Sequence, residues 1–443
     1  MSFTDFLSRA VYGALLLLIV LSAIPYGTVE PWWKAAFICG VFGICLVAAI
    51  EFATSGRVRV GPGAVLWPML ALSVLAFAQS LPFGPPDDNP GHLGFVVWRA
   101  ISADPYQTRF FVLQLLALTA CLALFYRYAA SERRIRVLVY AIVGVAVASA
   151  VFGILRQTMQ HHDGFLLPLL KQNQGFAQFV NKNHFAYLME LAFGLGLGML
   201  VAGGVKREQL LLHVALLLPI WIALVLANSR GGVLAMLVQI VLGVLLLQRG
   251  SARTPRLAAF RVVLLVVLVA GVLFGTLWVG GDRLASNFEA AGSELSANTA
   301  GTREGASRNE IWRATLKMFA AHPLLGVGLG GYWIGITAYH DASGALTPQE
   351  AHNEYLELLA SGGVVGLALG VWFAVSVVRL VRRRLWTESG FMHAARVGAV
   401  LGIAGVTVHS LVDFGLHLMS NALVFLALIV IATTTVEQRD RPS

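Results

Sequence analysis

Continuous apolar stretches, each near the roughly 20 residues that a helix rising about 1.5 Å per residue needs to cross a bilayer, recur along the whole chain. They fall at about 11–25, 34–52, 64–81, 109–126, 137–155, 184–202, 209–227, 231–248, 260–279, 353–378, 396–412 and 418–436. Hydrocarbon offers backbone N–H and C=O groups no partner, so runs of this kind read as helices that satisfy their own hydrogen bonds. Composition agrees: 57% of the 443 residues are hydrophobic and 12% charged, against roughly 25% charged in soluble domains. A soluble protein this apolar could not cover its surface. The chain therefore reads as an all-α polytopic membrane protein of about twelve transmembrane helices, a single bundle with one large external insertion. The expected division is 1–279 for the first nine spans, 280–352 for the large loop with short helices, and 353–443 for the last three.

The net charge of +9 does not signal nucleic acid, because the cations alternate with the loops. Arg9, Arg57 and Arg59, the Arg127–Arg136 group, Lys206 and Arg207, the Arg249–Arg261 group, the Arg379–Arg396 group, and Arg439 and Arg441 lie in every second segment. They make up 20 of the 32 basic residues. By the positive-inside rule these short segments face the cytoplasm, as do both termini. The first apolar run has no small-residue cleavage site after it and reads as a retained helix. Cys39, Cys45 and Cys121 all sit inside apolar runs, which argues against a disulfide framework or cysteine metal site. The long segments, at about 82–108, 156–183 and 280–352, fall on the outer face, where long loops usually carry function.

Few cations remain outside, and they stand where the positive-inside rule gives them no reason to be. Arg230 follows Asn228-Ser229 in the tight link between two spans and precedes Gly231-Gly232. A helix N-terminus with an arginine is an anion site; the bland alternative is an arginine snorkelling at the interface. Arg303 and Arg308 precede an expected helix from Asn309 to Ala321, on which Arg313 and Lys317 share a face suited to lipid headgroups. The run from His322 to Gly331 reads either as a flexible glycine loop near substrate or as a plain helix stop. It lacks the strand of a dinucleotide motif. Thr347 with Glu350 forms a capping box and Pro348 fits a first helical position. A helix is therefore expected from there, with His352 in its second turn. Histidine can take a proton near neutral pH, or simply bond to headgroups and loop carbonyls.

Further polar residues fall in or near spans. Glu190 is an acid inside an apolar run, a functional position by default in a membrane. His409, Asp413, His417 and Asn421 recur every four residues and read as a buried polar network in preference to a metal site. Asn181, Lys182, Asn183 and His184 enter the sixth span and could line the same cavity. The Asp87-Asp88 pair is surrounded by prolines and reads as a solvated turn.

Taken in order, three segments resemble the O-antigen ligase and O-antigen polymerase superfamily. They are Asn228-Ser229-Arg230-Gly231-Gly232, the run from Arg308 through Trp312 to Gly328, and His352-Asn353-Glu354-Tyr355-Leu356 through Gly366. The segments Phe179–Phe185 and His409–Phe414 are similar to its exopolysaccharide-polymerase-like members. The resemblance covers roughly 180–380. It implies a GT-C-like fold in the bacterial inner membrane. The implied reaction is glycosyl transfer at the periplasmic face, from an undecaprenyl-diphosphate-linked glycan to a saccharide hydroxyl, in lipopolysaccharide or exopolysaccharide biosynthesis. It implies no metal and no other cofactor. His352 would be general base; Arg230 and Arg308, with Arg303 assisting, would grip the diphosphate. Asn183, His184, Glu190, Glu354, Tyr355, His409 and Asp413 are the candidate polar residues of the cavity. A polymerase is favoured slightly over a ligase acting on lipid A-core. A lipid-linked oligosaccharide flippase is the competing class.

Overall fold

The computed structural model describes residues 2–56, 61–83, 99–159, 170, 175–249, 308–340 and 348–435, with a few positions between 263 and 271. Asp87, Asp88, Arg303, Thr347 and most of the expected span 260–279 lie outside the described residues. Among the described residues the regular structure is helical, apart from one isolated bridge between Phe176 and Phe179. The helices are α1 (Phe3–Ala23), α2 (Pro31–Ser55), α3 (Gly63–Gln79), α4 (Pro105–Tyr128), α5 (Glu132–Met159), α6 (Lys182–Val201), α7 (Leu210–Leu226) and α8 (Arg230–Arg249). After them come α9 (Arg308–Ala321), the short α10 (Tyr332–Gly335), α11 (Glu354–Arg384), α12 (Phe391–His409) and α13 (Met419–Thr433). Among the described residues, eight helices are long and apolar enough to cross a membrane and three shorter ones are similarly apolar. Each coincides with an expected stretch, so the protein is a polytopic all-α membrane protein.

The bundle is built around α6, buried from His184 to Val201. Lipid is as apolar as leucine, so helices in a membrane associate by close packing, which small residues permit. On α6, Gly194 and Gly198 face Gly402 and Gly398 of α12. A Cβ on Gly194 would stand 2.3 Å from the Gly402 nitrogen, and one on Gly198 would stand 2.1 Å from the Gly398 Cα. The two backbones therefore touch.

The glycine run after α9 is neither a flexible loop nor a simple helix stop. It is stitched to a break in α11, where Gly363 has φ 63° and ψ −165°. Val364 N–H bonds the Pro323 carbonyl at 2.9 Å, and Val327 and Gly328 N–H bond the carbonyls of Ala360 and Ser361 at 3.1 and 2.9 Å. Gly326 needs its positive φ there, because its hydrogen lies against the Ser361 backbone. The buried Gln79 side chain closes the seam. It donates to the Ser361 carbonyl at 3.0 Å and accepts from Leu329 N–H at 3.1 Å. A further small core, with Met318, Val327, Tyr332 and Ile336, ties α9 and α10 to this seam.

One helix start differs from expectation. α11 begins at Glu354, not at Pro348. Asn353 is the cap: its Oδ1 accepts from the N–H groups of Tyr355 and Leu356, both at 3.0 Å. A single Asn cap satisfies both leading amides. His352, one residue earlier, is outside the helix with φ 49°.

Candidate active site

Several chain ends meet at one end of the bundle. α6, α8, α9 and α11 all begin there, and α12 ends there. A helix N-terminus carries free N–H groups and the positive end of the peptide dipole, which favours anions. Asn181 caps α6, its side chain accepting from Asn183 N–H at 2.8 Å. Lys182 Nζ donates to the Asn228 carbonyl at 3.0 Å, tying α6 to the turn between α7 and α8. In that turn Asn228 has φ 50°, Ser229 Oγ accepts from Gly232 N–H at 3.2 Å, and Arg230 opens α8 with an exposed side chain.

Asp413 is the hub. Its side chain is 0% exposed, in the short stretch between α12 and α13. Asn183 Nδ2 donates to one carboxylate oxygen, and Phe414 N–H donates to the other at 2.9 Å. Arg308 Nη2 stands 3.7 Å from Oδ2 and His352 Nδ1 3.6 Å from Oδ1. Both are too long for hydrogen bonds, and the Arg308 contact is an ion pair. Burial alone would raise the acid's pKa; the His352 ring, the Phe414 N–H and the His184 ring outweigh it and hold the carboxyl at about 2. Asp413 is therefore a carboxylate at every physiological pH.

His352 lies between that buried carboxylate and solvent, with its side chain 33% exposed. Its ring meets the Phe414 edge at 4.9 Å between centroids. The backbone around it is fixed from the α12 side. Asn353 Nδ2 donates to the Leu411 carbonyl at 2.8 Å, and Glu354 N–H to that of Ser410 at 3.0 Å. Trp312 of α9 donates to the Ala351 carbonyl at 3.0 Å. Arg308, His352 and Asp413 thus come from three separate segments and are locked together by backbone contacts.

The four residues spaced by four do not share a helix face. α12 ends at His409, and each takes a different partner. His409 Nδ1 pairs with Glu190 Oε1 at 2.7 Å. Asp413 faces Asn183, Arg308 and His352. Asn421 donates to the carbonyls of His184 and Gly415, both at 3.0 Å. His417 stands among three acids: Glu350 at 3.3 Å, Glu354 at 3.2 Å and Glu357 at 3.6 Å. Burial works against its charge, and the acids more than compensate, raising its pKa well above 6.5. Glu350, Glu357 and His417 also bring ligating atoms within 4.8 Å of one another. A divalent cation there would have to displace the imidazolium proton that the acids favour.

Three candidates have other work. Tyr355 spends its hydroxyl on the Thr407 carbonyl at 2.7 Å and so latches α11 to α12. Glu354 accepts from Leu416 N–H at 2.9 Å besides facing His417. His184 packs its ring against Phe414 at 4.8 Å. Sequence reasoning missed Glu357, whose spacing of three from Glu354 puts both on the helix face that meets His417.

Residues 214–371 match a family model described as O-Antigen ligase. The matched region contains Arg230, Arg308 and His352; Asn183, Glu190, His409 and Asp413 lie outside it. No curated protein matches the chain.

Proposed function

Since the chain belongs to the O-antigen ligase/polymerase superfamily, whose members are glycosyltransferase-like membrane enzymes, we propose that it joins glycans at the periplasmic face of the bacterial inner membrane. The donor is an undecaprenyl-diphosphate-linked glycan and the acceptor a saccharide hydroxyl. The observation that carries this is the Asp413 hub, which holds a half-exposed cation, Arg308, and a part-exposed base, His352, within 4 Å of one buried carboxylate.

The reaction is a single displacement. The acceptor oxygen attacks the anomeric carbon on the face opposite the leaving group, so the configuration inverts. The C–O bond to the diphosphate breaks, and its electron pair departs with the diphosphate. The hydroxyl proton goes to Nε2 of His352. Nδ1 faces Asp413, which orients the ring and stabilises the imidazolium that forms. Arg230 and Arg308, with Arg303 assisting, meet the charge developing on the diphosphate. Preorganised cations of this kind usually lower the barrier to such a reaction more than any other device, and a positioned base adds about 10²–10⁴-fold. This chemistry needs no metal or other cofactor.

Within the superfamily a polymerase is favoured by the Phe179–Phe185 and His409–Phe414 segments, which furnish Asn183 and Asp413. The test is a deletion strain analysed by polysaccharide gel. A single repeat unit left on lipid A-core, or lost exopolysaccharide with intact core capping, means polymerase. Loss of all capping means ligase. Long glycan made by the purified protein from a lipid-diphosphate donor would exclude a flippase, and normal glycan in the deletion strain would remove the proposal.

A further inference from the structure

The buried pair Glu190–His409 takes no part in the steps above, yet it is firmly built. His409 Nδ1 lies 2.7 Å from Glu190 Oε1, and the imidazole stacks on Tyr187 with centroids 4.3 Å apart. The Tyr187 hydroxyl is 3.3 Å from Ser410 Oγ. Gln239 of α8 donates to the Glu190 backbone carbonyl at 2.8 Å. The pair is thus gripped from α6, α8 and α12 together.

The first turn of α8 lies over this pair. A Cβ on Gly231 would stand 2.2 Å from Cδ2 and 2.3 Å from Nε2 of His409. On Gly232 a Cβ would stand 3.2 Å from Glu190 Oε1 and 3.0 Å from the Ala186 methyl. Neither glycine has positive φ, so the need is for space and not for conformation. The imidazole is the floor under the residue beside Arg230. The end of α12 then governs both arginines. His409 supports the Arg230 turn, and Asp413, whose N–H bonds the His409 carbonyl at 3.1 Å, faces Arg308 at 3.7 Å.

We infer that His409, held by Glu190, is a positioning residue for Arg230, and that it sets the spacing between Arg230 and Arg308 in the diphosphate clamp. The inference rests on the diphosphate reading given above. A clamp for developing charge works only if its cations are fixed beforehand, and a misplacement of about 1 Å can cost about 10²-fold. The charged side chain that meets the diphosphate is exposed, so its aim must come from the backbone beneath it.

The test uses the full-length protein in lipid nanodiscs, with farnesyl diphosphate as a soluble isoprenyl-diphosphate probe. Binding is measured for wild type, Arg230→Ala, His409→Ala, Glu190→Gln and the doubles with Arg230→Ala. His409→Ala should weaken binding about tenfold, the scale of coupling between neighbours, and Glu190→Gln somewhat less. In the Arg230→Ala background neither should weaken it further, an outcome that general loosening of the fold would not produce. Equal losses in both backgrounds, or no loss from His409→Ala while Arg230→Ala weakens binding, would overturn the positioning role alone. Unchanged binding in Arg230→Ala would remove the diphosphate reading and this inference with it. If His409→Ala does not insert, Glu190→Gln, which keeps the shape of the pair, decides by the same comparison.

Discussion

Nδ1 of His352 stands 3.6 Å from Oδ1 of Asp413, a fully buried carboxylate facing a part-exposed imidazole. The carboxylate leaves Nε2 as the nitrogen free to take an acceptor proton, because the other ring nitrogen faces a permanent negative charge. Asp413→Asn keeps the shape and removes that charge. It should lower kcat about 10²–10⁴-fold, the contribution of a positioned base, with membrane insertion intact. Initial rates on purified protein check it, and a loss under about threefold would mean that Asp413 does not assist His352.

His352→Ala removes the base itself while leaving Asn353 to cap α11. Long glycan should disappear from polysaccharide gels with protein level unchanged. Added imidazole should restore part of the rate in purified protein, because the vacated site opens toward solvent. Arg230→Ala should also abolish long glycan, but imidazole should not help it. Normal chain length in both variants would sink the mechanism.

The spans were legible because a bilayer demands long apolar runs whatever the tertiary packing. The site was only half legible. Arg230, Arg308 and His352 stand out as polar residues in places that topology does not explain. Their meeting point does not, since Asp413 reaches Asn183 of α6, Arg308 of α9 and the pre-α11 turn across large sequence separations. The expected helix start at Pro348 failed for the same reason. The Thr347 and Glu350 pattern is a sound local cap, but Glu350 is drawn to His417, and Asn353 caps the helix six residues later. The spacing of His409, Asp413, His417 and Asn421 marked a set of polar residues, but not their separate partners, because α12 ends at His409 and the chain turns before Asp413.

The α6–α12 contact gives a stability prediction independent of chemistry. Gly198→Leu would push a side chain into the Gly398 backbone, where even a Cβ would stand 2.1 Å from Cα. Backbone has no rotamer with which to yield, so the helices must part. The cost should be about 1–3 kcal/mol or more, seen as a clear drop in thermal midpoint of the detergent-solubilised protein. Gly13→Leu, where nothing lies within 4 Å of the added Cβ, should change the midpoint little. Equal midpoints for the two variants would refute the close contact.

His417 predicts how stability depends on pH. Its folded pKa is raised well above the ordinary 6.5 by Glu354, Glu357 and Glu350. A raised pKa means that the folded state binds the proton more tightly than the unfolded state. The stabilisation is therefore fully present below 6.5 and is lost as pH rises through the folded value. On the acid side Glu350, whose carboxyl is held at about 2 chiefly by His417 against the effect of burial, loses its contribution as pH falls below its ordinary 4.5 toward that value. Wild-type protein should therefore melt at its highest temperature between these limits and lose midpoint steadily on the alkaline side. His417→Gln should lower the midpoint at neutral pH and flatten the alkaline decline. Parallel alkaline curves for the two proteins would show that the imidazolium contributes nothing to holding α11 against the segment before α13.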